Sequence, residues 1–258
     1  MAAAPKYAIK TMSGTIYLVG IGPGNPENMT PRAVTTLSKV QVIIGRKDCL
    51  DLITRLTAGK ELVAADISPV ERSGIAVTKA LEGKDVALVT TGDPGIYAIA
   101  STFFGYLKDT ELAPPVKVIP GVTLANTAAA LLGSPLGHDF ATISLADQAT
   151  PWSAIKRRLE SAAESGFVVV LYNPKGKVGS QRINEAVAIL ANYRKATTPV
   201  GIVSSASTEH EQVRVTTLAE VSGDDIDTET ILIVGNSETF VLNGWMVTPR
   251  GYKKGLGY

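Results

Sequence analysis

One cysteine, Cys49, and two histidines, His138 and His210, are all that this 258-residue chain has of those residue types. A lone cysteine closes no internal disulfide, which points to a reducing, cytoplasmic compartment. Two histidines exclude a histidine-rich metal centre, and with a single thiol a Cys/His zinc site goes too, so no metal is expected. An excess of one charge is also lacking. Lys+Arg number 25 against 24 Asp+Glu, a formal net charge of +1. That balance gives no global attraction to nucleic acid or to an anionic membrane. Long apolar runs are missing: a stretch such as Phe167-Val168-Val169-Val170-Leu171 falls far short of the roughly 20 residues that cross a bilayer. The segment from Met1 to Ser13 carries Lys6 and Lys10 with no apolar block behind them, so it reads as a lead-in rather than a secretory signal. No internal repeat or low-complexity tract is present. What remains is 45% hydrophobic and 19% charged, the usage of a globular chain long enough for one or two domains.

Within that chain, short β-branched runs alternate with helical spacing. Strands are expected at 15–19, 40–44, 62–65, 86–89 and 116–119, each a brief apolar run. Helices are expected from Pro31 onward and at about 48–56, 70–81, 96–107 and 125–132. Thr30 followed by Pro31 marks a clean helix start, an N-cap hydroxyl ahead of a residue whose missing N–H costs nothing there. Such βα alternation implies a mostly parallel sheet covered by helices. The composition then shifts at Gly133-Ser134-Pro135-Leu136-Gly137, which has the look of a linker. Strands at 141–145, 168–171, 200–203, 212–217 and 231–234 follow, with helices from Trp152 and near 183–190 and an extended piece over 240–247. The later strands lack intervening helices, so a mixed sheet with a hairpin is expected. The reading is therefore two α/β domains, 14–133 and 138–250.

Ligands of open α/β sheets bind beyond the carboxyl ends of strands, and four features lie at such ends. Gly20-Ile21-Gly22-Pro23-Gly24-Asn25-Pro26 invites a dinucleotide reading. Asn25 stands where the fingerprint needs its last glycine, and two prolines remove backbone donors. An NADP-binding redox domain, with Arg46 and Lys47 at a 2′-phosphate, is the rival from another class; a plain tight turn is the bland one. In Thr90-Thr91-Gly92-Asp93-Pro94-Gly95-Ile96-Tyr97, Gly92 allows close backbone approach. Asp93 either accepts from a ligand or caps the next helix. In Ile119-Pro120-Gly121-Val122-Thr123-Leu124-Ala125-Asn126, small residues leave room for a bulky ligand, or Thr123 is simply an N-cap. Leu171-Tyr172-Asn173-Pro174 ends a buried strand in a turn.

Taken in order, G-x-G-P-G-N-P, then T-G-D-P-x-x-Y, then I-P-G-V-T-x-A-N resemble the tetrapyrrole methylase family over Gly14 to about Val247. The resemblance implies two α/β domains with S-adenosylmethionine held in the cleft between them, and a homodimer. It implies cofactor contacts at Pro23, Gly92, Asp93, Ile96, Thr123, Leu124, Tyr172 and Asn173. Ala206 and Thr230 match the remaining contact segments, where simpler members often carry Gly and Ala. The run Gly137-His138-Asp139-Phe140-Ala141-Thr142-Ile143-Ser144-Leu145-Ala146-Asp147 with Thr150-Pro151-Trp152 resembles the branch that methylates C-17 of precorrin-3B or cobalt-factor III and contracts the ring. Alternatives inside the family are the C-11 methyltransferase and diphthine synthase. A binding module without catalysis is the remaining non-enzyme reading.

Methyl transfer needs alignment and exclusion of water rather than a nucleophilic side chain, so Cys49 reads as packing. Ring contraction moves protons, and imidazole is the side chain whose unperturbed form exchanges them near neutral pH, which singles out His138 as the candidate. The candidate catalytic set is His138, Asp139 to orient its ring, and Ser144 and Asp147 to bond substrate polar groups. The alternative for His138 is a loop histidine satisfying carbonyls. His210 lies in a polar segment and reads as surface. A polycarboxylate tetrapyrrole needs cations, for which Arg46, Arg72 and Lys175 are candidates, although any single one of them reads first as a solvated surface charge.

Overall fold

The computed structural model describes residues 13–110, 113–148, 150–175 and 179–251. The chain divides into two compact units between Thr123 and Leu124.

The first unit holds strands β1 (Ile16–Gly20), β2 (Val42–Gly45), β3 (Glu61–Ala64), β4 (Val86–Thr90) and β5 (Val116–Ile119). Its helices are α1 (Pro31–Lys39), α2 (Lys47–Leu52), α3 (Pro69–Leu81) and α4 (Ile99–Lys108). The strands form one parallel sheet in the order β3-β2-β4-β1-β5. Alternate residues feed opposite faces, as a two-sided parallel sheet requires. Ile16, Leu18, Val42, Ile44, Val86 and Leu88 pack with α3 and α4 residues such as Ala76 and Phe103. Val19, Ile43, Ala87, Val89 and Ile119 pack with Ala33, Leu37, Cys49 and Leu50 of α1 and α2. The Thr30 hydroxyl accepts from the Ala33 N–H at 3.1 Å, capping α1 as the sequence indicates. Cys49 is buried in that second cluster and burial pushes its thiol up to about 11, which keeps it protonated and unreactive.

The second unit holds α5 (Leu124–Leu132), β6 (Gly133–Ser134), β7 (Phe140–Ser144), α6 (Trp152–Glu164), β8 (Val168–Tyr172), α7 (Gln181–Ala191), β9 (Pro199–Ser204), β10 (Gln212–Thr217), β11 (Thr230–Val234), β12 (Phe240–Leu242) and β13 (Trp245–Val247). Its five-stranded sheet runs β10-β9-β11-β8-β7. β7 and β8 are parallel, and β11 and β10 run antiparallel to their neighbours, the expected mixed sheet. On one face Val169, Leu171, Val200 and Ile202 pack against Ile155, Leu159, Ile183 and Leu190 of α6 and α7. On the other Val168, Val170, Tyr172, Val203, Ile231 and Ile233 pack against Ala125, Ala128 and Leu132 of α5.

The division falls earlier than the composition shift suggests. α5 buries its apolar side in the second unit's core. Gly133–Ser134 is no free linker: it pairs in parallel with Met246 and Val247 of β13. Two helices depart as well: the stretch expected as one helix over 48–56 ends as α2 at Leu52 and gives way to a 3-10 turn at Thr54–Leu56, and α4 begins at Ile99 rather than 96. The hydrophobic spacing continues through Ile96, but 93–98 is a series of turns containing Tyr97 at φ +50°. Among the described residues, no helix is long and apolar enough to cross a membrane.

Candidate functional site: strand-end loops of each unit

In the first unit, three of the loops singled out by sequence follow β1, β4 and β5, which are neighbours in the sheet. Their backbones touch. Gly22 and Gly92 form an antiparallel bridge, with the Gly92 N–H donating to the Gly22 carbonyl at 2.8 Å. A Cβ on Gly20 would lie 2.5 Å from the Gly92 oxygen, and one on Gly121 would lie 2.1 Å from the same oxygen. Glycine is thus required at 20 and 121 because three main chains converge, a need set by the protein before any ligand arrives.

Asp93 ties the junction together. Its Oδ1 accepts from the Gly95 N–H at 2.8 Å and its Oδ2 from the Gly121 N–H at 3.0 Å. It does not cap α4, whose N-cap is Ala98 without a side-chain bond. The helix-cap alternative is therefore set aside. Each carboxylate oxygen retains a lone pair, and the residue is half-buried. Ile96 is 41% exposed beside it. Pro23 is buried, and Thr123 is half-buried at the end of the unit.

The same geometry disfavours a pyrophosphate cradle. The Ile21 N–H donates to the Thr90 carbonyl and the Gly22 N–H to the Gly92 carbonyl, so those donors are consumed. Asn25 caps a short 3-10 turn at Pro26–Asn28 by accepting from the Glu27 N–H. No helix starts at the glycine loop, since α1 begins only at Pro31, and the dinucleotide arrangement needs one there.

Two candidate cations of this unit come together. Arg46 and Arg72 line one cavity of about 630 Å³ with Lys47, Asp48, Asp51, Asp66 and Ile67. Arg46 is ion-paired with Asp48. Arg72 donates to the Ala65 and Ile67 carbonyls and has no carboxylate partner among the described residues. Burial, and then the neighbouring Arg46, lower its pKa.

In the second unit, Ser144, Asn173, Thr230 and Ser204 lie along one end of the mixed sheet, by the pairings Ser144↔Tyr172 and Thr230↔Ser204. Asn173, exposed and at φ +52°, donates from Nδ2 to the Ser144 hydroxyl at 3.0 Å. Tyr172 is only 6% exposed, and its hydroxyl accepts from the Ala125 N–H at 3.0 Å at the start of α5. Leu124 is half-buried there. Ala206 is buried between Ser205 and Ser207, both at positive φ. The Thr230 hydroxyl bonds Ser204, donates to Asp227 at 2.5 Å and accepts the Asp227 N–H. That uses its whole capacity, so only the backbone of Thr230 has anything to offer a ligand.

The four catalytic candidates do not gather. His138 and Asp139 precede β7, and the Asp139 carbonyl accepts from Val168 at the start of β8. Ser144 is at the other end of β7, about 13 Å along a five-residue strand. His138 and Asp139 instead line a cavity of about 360 Å³ with Leu136, Gly137 and Arg250. The ring is oriented by the Asp139 backbone N–H, which donates to Nδ1 at 2.7 Å. The Asp139 carboxylate is 3.6 Å from that nitrogen, too far for a hydrogen bond. With Nδ1 accepting, the neutral ring carries its proton on Nε2.

Asp147 is committed to Arg182, which donates to Oδ2 from Nε at 2.9 Å and Nη2 at 2.7 Å. The pair engages Oδ2 alone. Arg182 also bonds Glu185 at 3.0 Å and stacks 4.5 Å from the Trp152 ring centre, while the Trp152 indole N–H donates to Glu185 at 2.6 Å. Sequence reasoning missed Arg182 and Glu185. Their i, i+3 spacing on α7 was the available signal, but the partner loop lies 35 residues away. The Trp152 bond, with Arg182 adding to it, holds the Glu185 carboxyl below its ordinary value. The stability it lends is present above the unfolded pKa near 4.3 and is lost as pH falls through the lower folded value. Trp152→Phe is expected to lower the melting temperature at pH 6, with the deficit shrinking below about pH 4; an equal deficit at both pH values would remove Glu185 from the account. Lys175 is half-buried, with no ion pair among the described residues, and His210 is exposed.

Comparison with known proteins identifies the family. Residues 15–222 match the model of the Tetrapyrrole (Corrin/Porphyrin) Methylases. The cobalt-factor III methyltransferase of Priestia megaterium is 39% identical over 94% of this chain, which spans 46% of that longer protein. A probable cobalt-factor III C(17)-methyltransferase of Salmonella typhimurium is 38% identical, covering 92% of this chain and 99% of its own. The precorrin-3B C(17)-methyltransferase of a Sinorhizobium species is 34% identical over 93% and 98%. The crystal structure of the methyltransferase CobJ superposes with a TM-score of 0.88 at 30% identity, covering 92% of this chain and all of that one. The chain belongs to the tetrapyrrole (corrin/porphyrin) methylase family and is a C-methyltransferase.

Proposed function

We propose that the protein is an S-adenosylmethionine-dependent methyltransferase of cobalamin biosynthesis that methylates C-17 of cobalt-factor III, with contraction of the ring. The observation that carries the reading is the junction of Gly20, Gly92, Asp93 and Gly121, where three separate family motifs meet at adjacent strand ends. The cobalt-bound substrate is preferred over precorrin-3B because the relatives at 38% and 39% identity carry that name and the precorrin-3B enzyme stands at 34%.

The residues suit the cofactor chemically. Asp93 has carboxylate lone pairs to spare for hydroxyl or ammonium donors, and exposed Ile96 offers an apolar surface for adenine. Gly92, Thr123 and the backbone at Pro23 complete the first unit's proposed contacts. In the second unit Leu124, Tyr172, Asn173, Ala206 and Thr230 are carried over from the family pattern. When bound, S-adenosylmethionine supplies a methyl group on a sulfonium. Methyl transfer asks of the chain only alignment of the acceptor carbon and exclusion of water. Asn173 and Ser144 form an accessible polar pair suited to substrate N–H or carboxylate groups. Arg72, lacking a carboxylate of its own, suits a substrate carboxylate. His138 is proposed as the acid/base group in ring contraction. A homodimer in the cytoplasm completes the reading.

Calorimetric titration with S-adenosylhomocysteine, with NADPH as control, tests the class. Binding of the former alone supports the proposal; binding of NADPH alone overturns it. His138→Ala is expected to retain S-adenosylhomocysteine binding and methyl transfer while product mass and absorbance show an uncontracted ring. A normally contracted product would dismiss His138 from the mechanism.

A further inference from the structure

Where β9 begins and β11 ends, the second unit holds a cavity of about 310 Å³ whose wall includes Arg194, Lys195, Thr197, Thr198 and Ser237. β9 is six residues long, so the Ser204–Thr230 end of the sheet is about 17–20 Å away. Two cations line the cavity and, among the described residues, no carboxylate does. Arg194 donates from Nη1 to the Ala163 carbonyl at 3.0 Å and from Nη2 to the Phe167 carbonyl at 2.6 Å. Those bonds cap the C-terminal end of α6, where a cation is favoured, yet they use two of its five N–H groups. Its Nε is buried with no partner among the described residues. Burial lowers the pKa of the guanidinium, as it must for a cation withdrawn from water without a neutralising carboxylate. Thr198 is only 6% exposed, and its hydroxyl makes no hydrogen bond among the described residues. The other buried polar residues of the wall are spent. Asn236 donates to the Gly166 carbonyl and accepts from the Glu238 N–H, and the Thr239 hydroxyl bonds Asn236 and Thr248. Capping of α6 therefore accounts for part of Arg194, but not for its buried Nε, for Lys195, or for the unpaired hydroxyl of Thr198.

We propose that this cavity binds a phosphate group, free or on a small phosphate monoester, at a site separate from the strand-end loops proposed for methyl transfer. The volume lies at the low end for ligand pockets, which suits a small anion rather than a macrocycle. The two cations match the roughly 1.5 to 2 negative charges of a phosphate monoester at neutral pH. The donors also outnumber the two oxygens of a carboxylate. The Lys195 ammonium, the hydroxyls of Thr197 and Thr198 and the remaining N–H groups of Arg194 suit the three acceptor oxygens of a phosphate. The Ser237 hydroxyl is left out of that count because it donates to the Glu238 carboxylate at 3.4 Å. None of this depends on which tetrapyrrole the enzyme methylates.

The full chain is titrated by calorimetry with inorganic phosphate and with ribose 5-phosphate at constant ionic strength, with acetate and chloride as controls. Melting temperatures are recorded with and without phosphate. Saturable phosphate binding at millimolar concentration or below is expected, with a higher melting temperature when the site is filled. Thr198→Val keeps the shape of the side chain and removes the unpaired hydroxyl. It is expected to melt no lower than the parent without phosphate, and to bind phosphate about tenfold more weakly. Lys195 is exposed, so Lys195→Ala should leave the melting temperature unchanged and weaken phosphate by a similar factor. It decides the matter even if Thr198→Val folds poorly. Both variants should bind S-adenosylhomocysteine with parental affinity. Tighter binding of ribose 5-phosphate than of phosphate supports the site with a monoester as its ligand; equal binding supports it with free phosphate. Absence of saturable binding by both probes overturns the proposal. So does acetate binding as tightly as phosphate, an equal melting shift from chloride, or parental phosphate affinity in both variants. A matching loss of S-adenosylhomocysteine affinity in the two variants would overturn the separateness of the site.

Discussion

Gly121→Ala is expected to cost the protein both stability and S-adenosylhomocysteine binding. The added Cβ would lie 2.1 Å from the Gly92 carbonyl oxygen and 2.8 Å from the Gly20 carbonyl carbon. Neither can yield cheaply. The Gly92 oxygen accepts the Gly22 N–H, and Gly20 is the last residue of β1, paired with Thr90. Overpacking a rigid backbone contact costs about 1–3 kcal/mol and sometimes more. At roughly 2–4 °C per kcal/mol for chains of this size, the melting temperature should fall on the order of 5–10 °C. Moving the β5 loop also pulls the Gly121 N–H from Asp93, so affinity should drop even where the variant is fully folded. Gly59→Ala is the control. Gly59 has φ +73° but open space where a Cβ would stand, so it should lose only about 1 kcal/mol and bind S-adenosylhomocysteine normally. Matching melting and binding losses in the two variants would mean that backbone conformation, not the three-loop contact, governs the site.

That contact explains what was legible in the sequence and what was not. The β-branched runs that became β1, β4 and β8 are continuous because both sheet faces are covered, and local pattern suffices to find them. Thr30-Pro31 marked α1 for an equally local reason, the hydroxyl reaching three residues ahead. Gly92, Asp93 and Gly121 were found as separate turn signals, but their mutual contact spans 28 residues or more, and no local pattern encodes it. The start of α4 was missed for the same reason. Apolar spacing runs through Ile96, while the distant hold of Asp93 on Gly121 turns the chain aside before Ile99. The spacing of His138 and Asp139 from Ser144 was not legible as a list of residue types: an extended strand, β7, lies between them and carries Ser144 to its far end. Asp147 is paired through Oδ2 with Arg182 of α7.

Asp93 carries the second large expectation. As a residue that only contacts ligand, it would be removable without harm to the fold. The structure gives it two backbone N–H donors as well. Hydrogen bonds to a charged group contribute about 1.5–3 kcal/mol each, reduced here because the residue is half-buried rather than buried. Asp93→Ala is therefore expected to destabilise the protein by about 2–4 kcal/mol while leaving it folded at 25 °C. S-adenosylhomocysteine affinity should weaken by a factor of roughly 100 or more, since ligand acceptor and loop geometry go together. Asp93→Asn divides the two contributions. Its single carbonyl oxygen can satisfy one of the N–H groups, but its amide would face the other donor with a donor. It should lose less stability than alanine and still bind S-adenosylhomocysteine poorly. Asp93→Glu keeps the charge, but its longer side chain no longer fits the span between Gly95 and Gly121, so it should resemble alanine in melting more than asparagine does. If all three variants melt low yet bind S-adenosylhomocysteine with parental affinity, Asp93 is a loop brace alone. In that case the contact with the cofactor belongs to its neighbours Gly92 and Ile96.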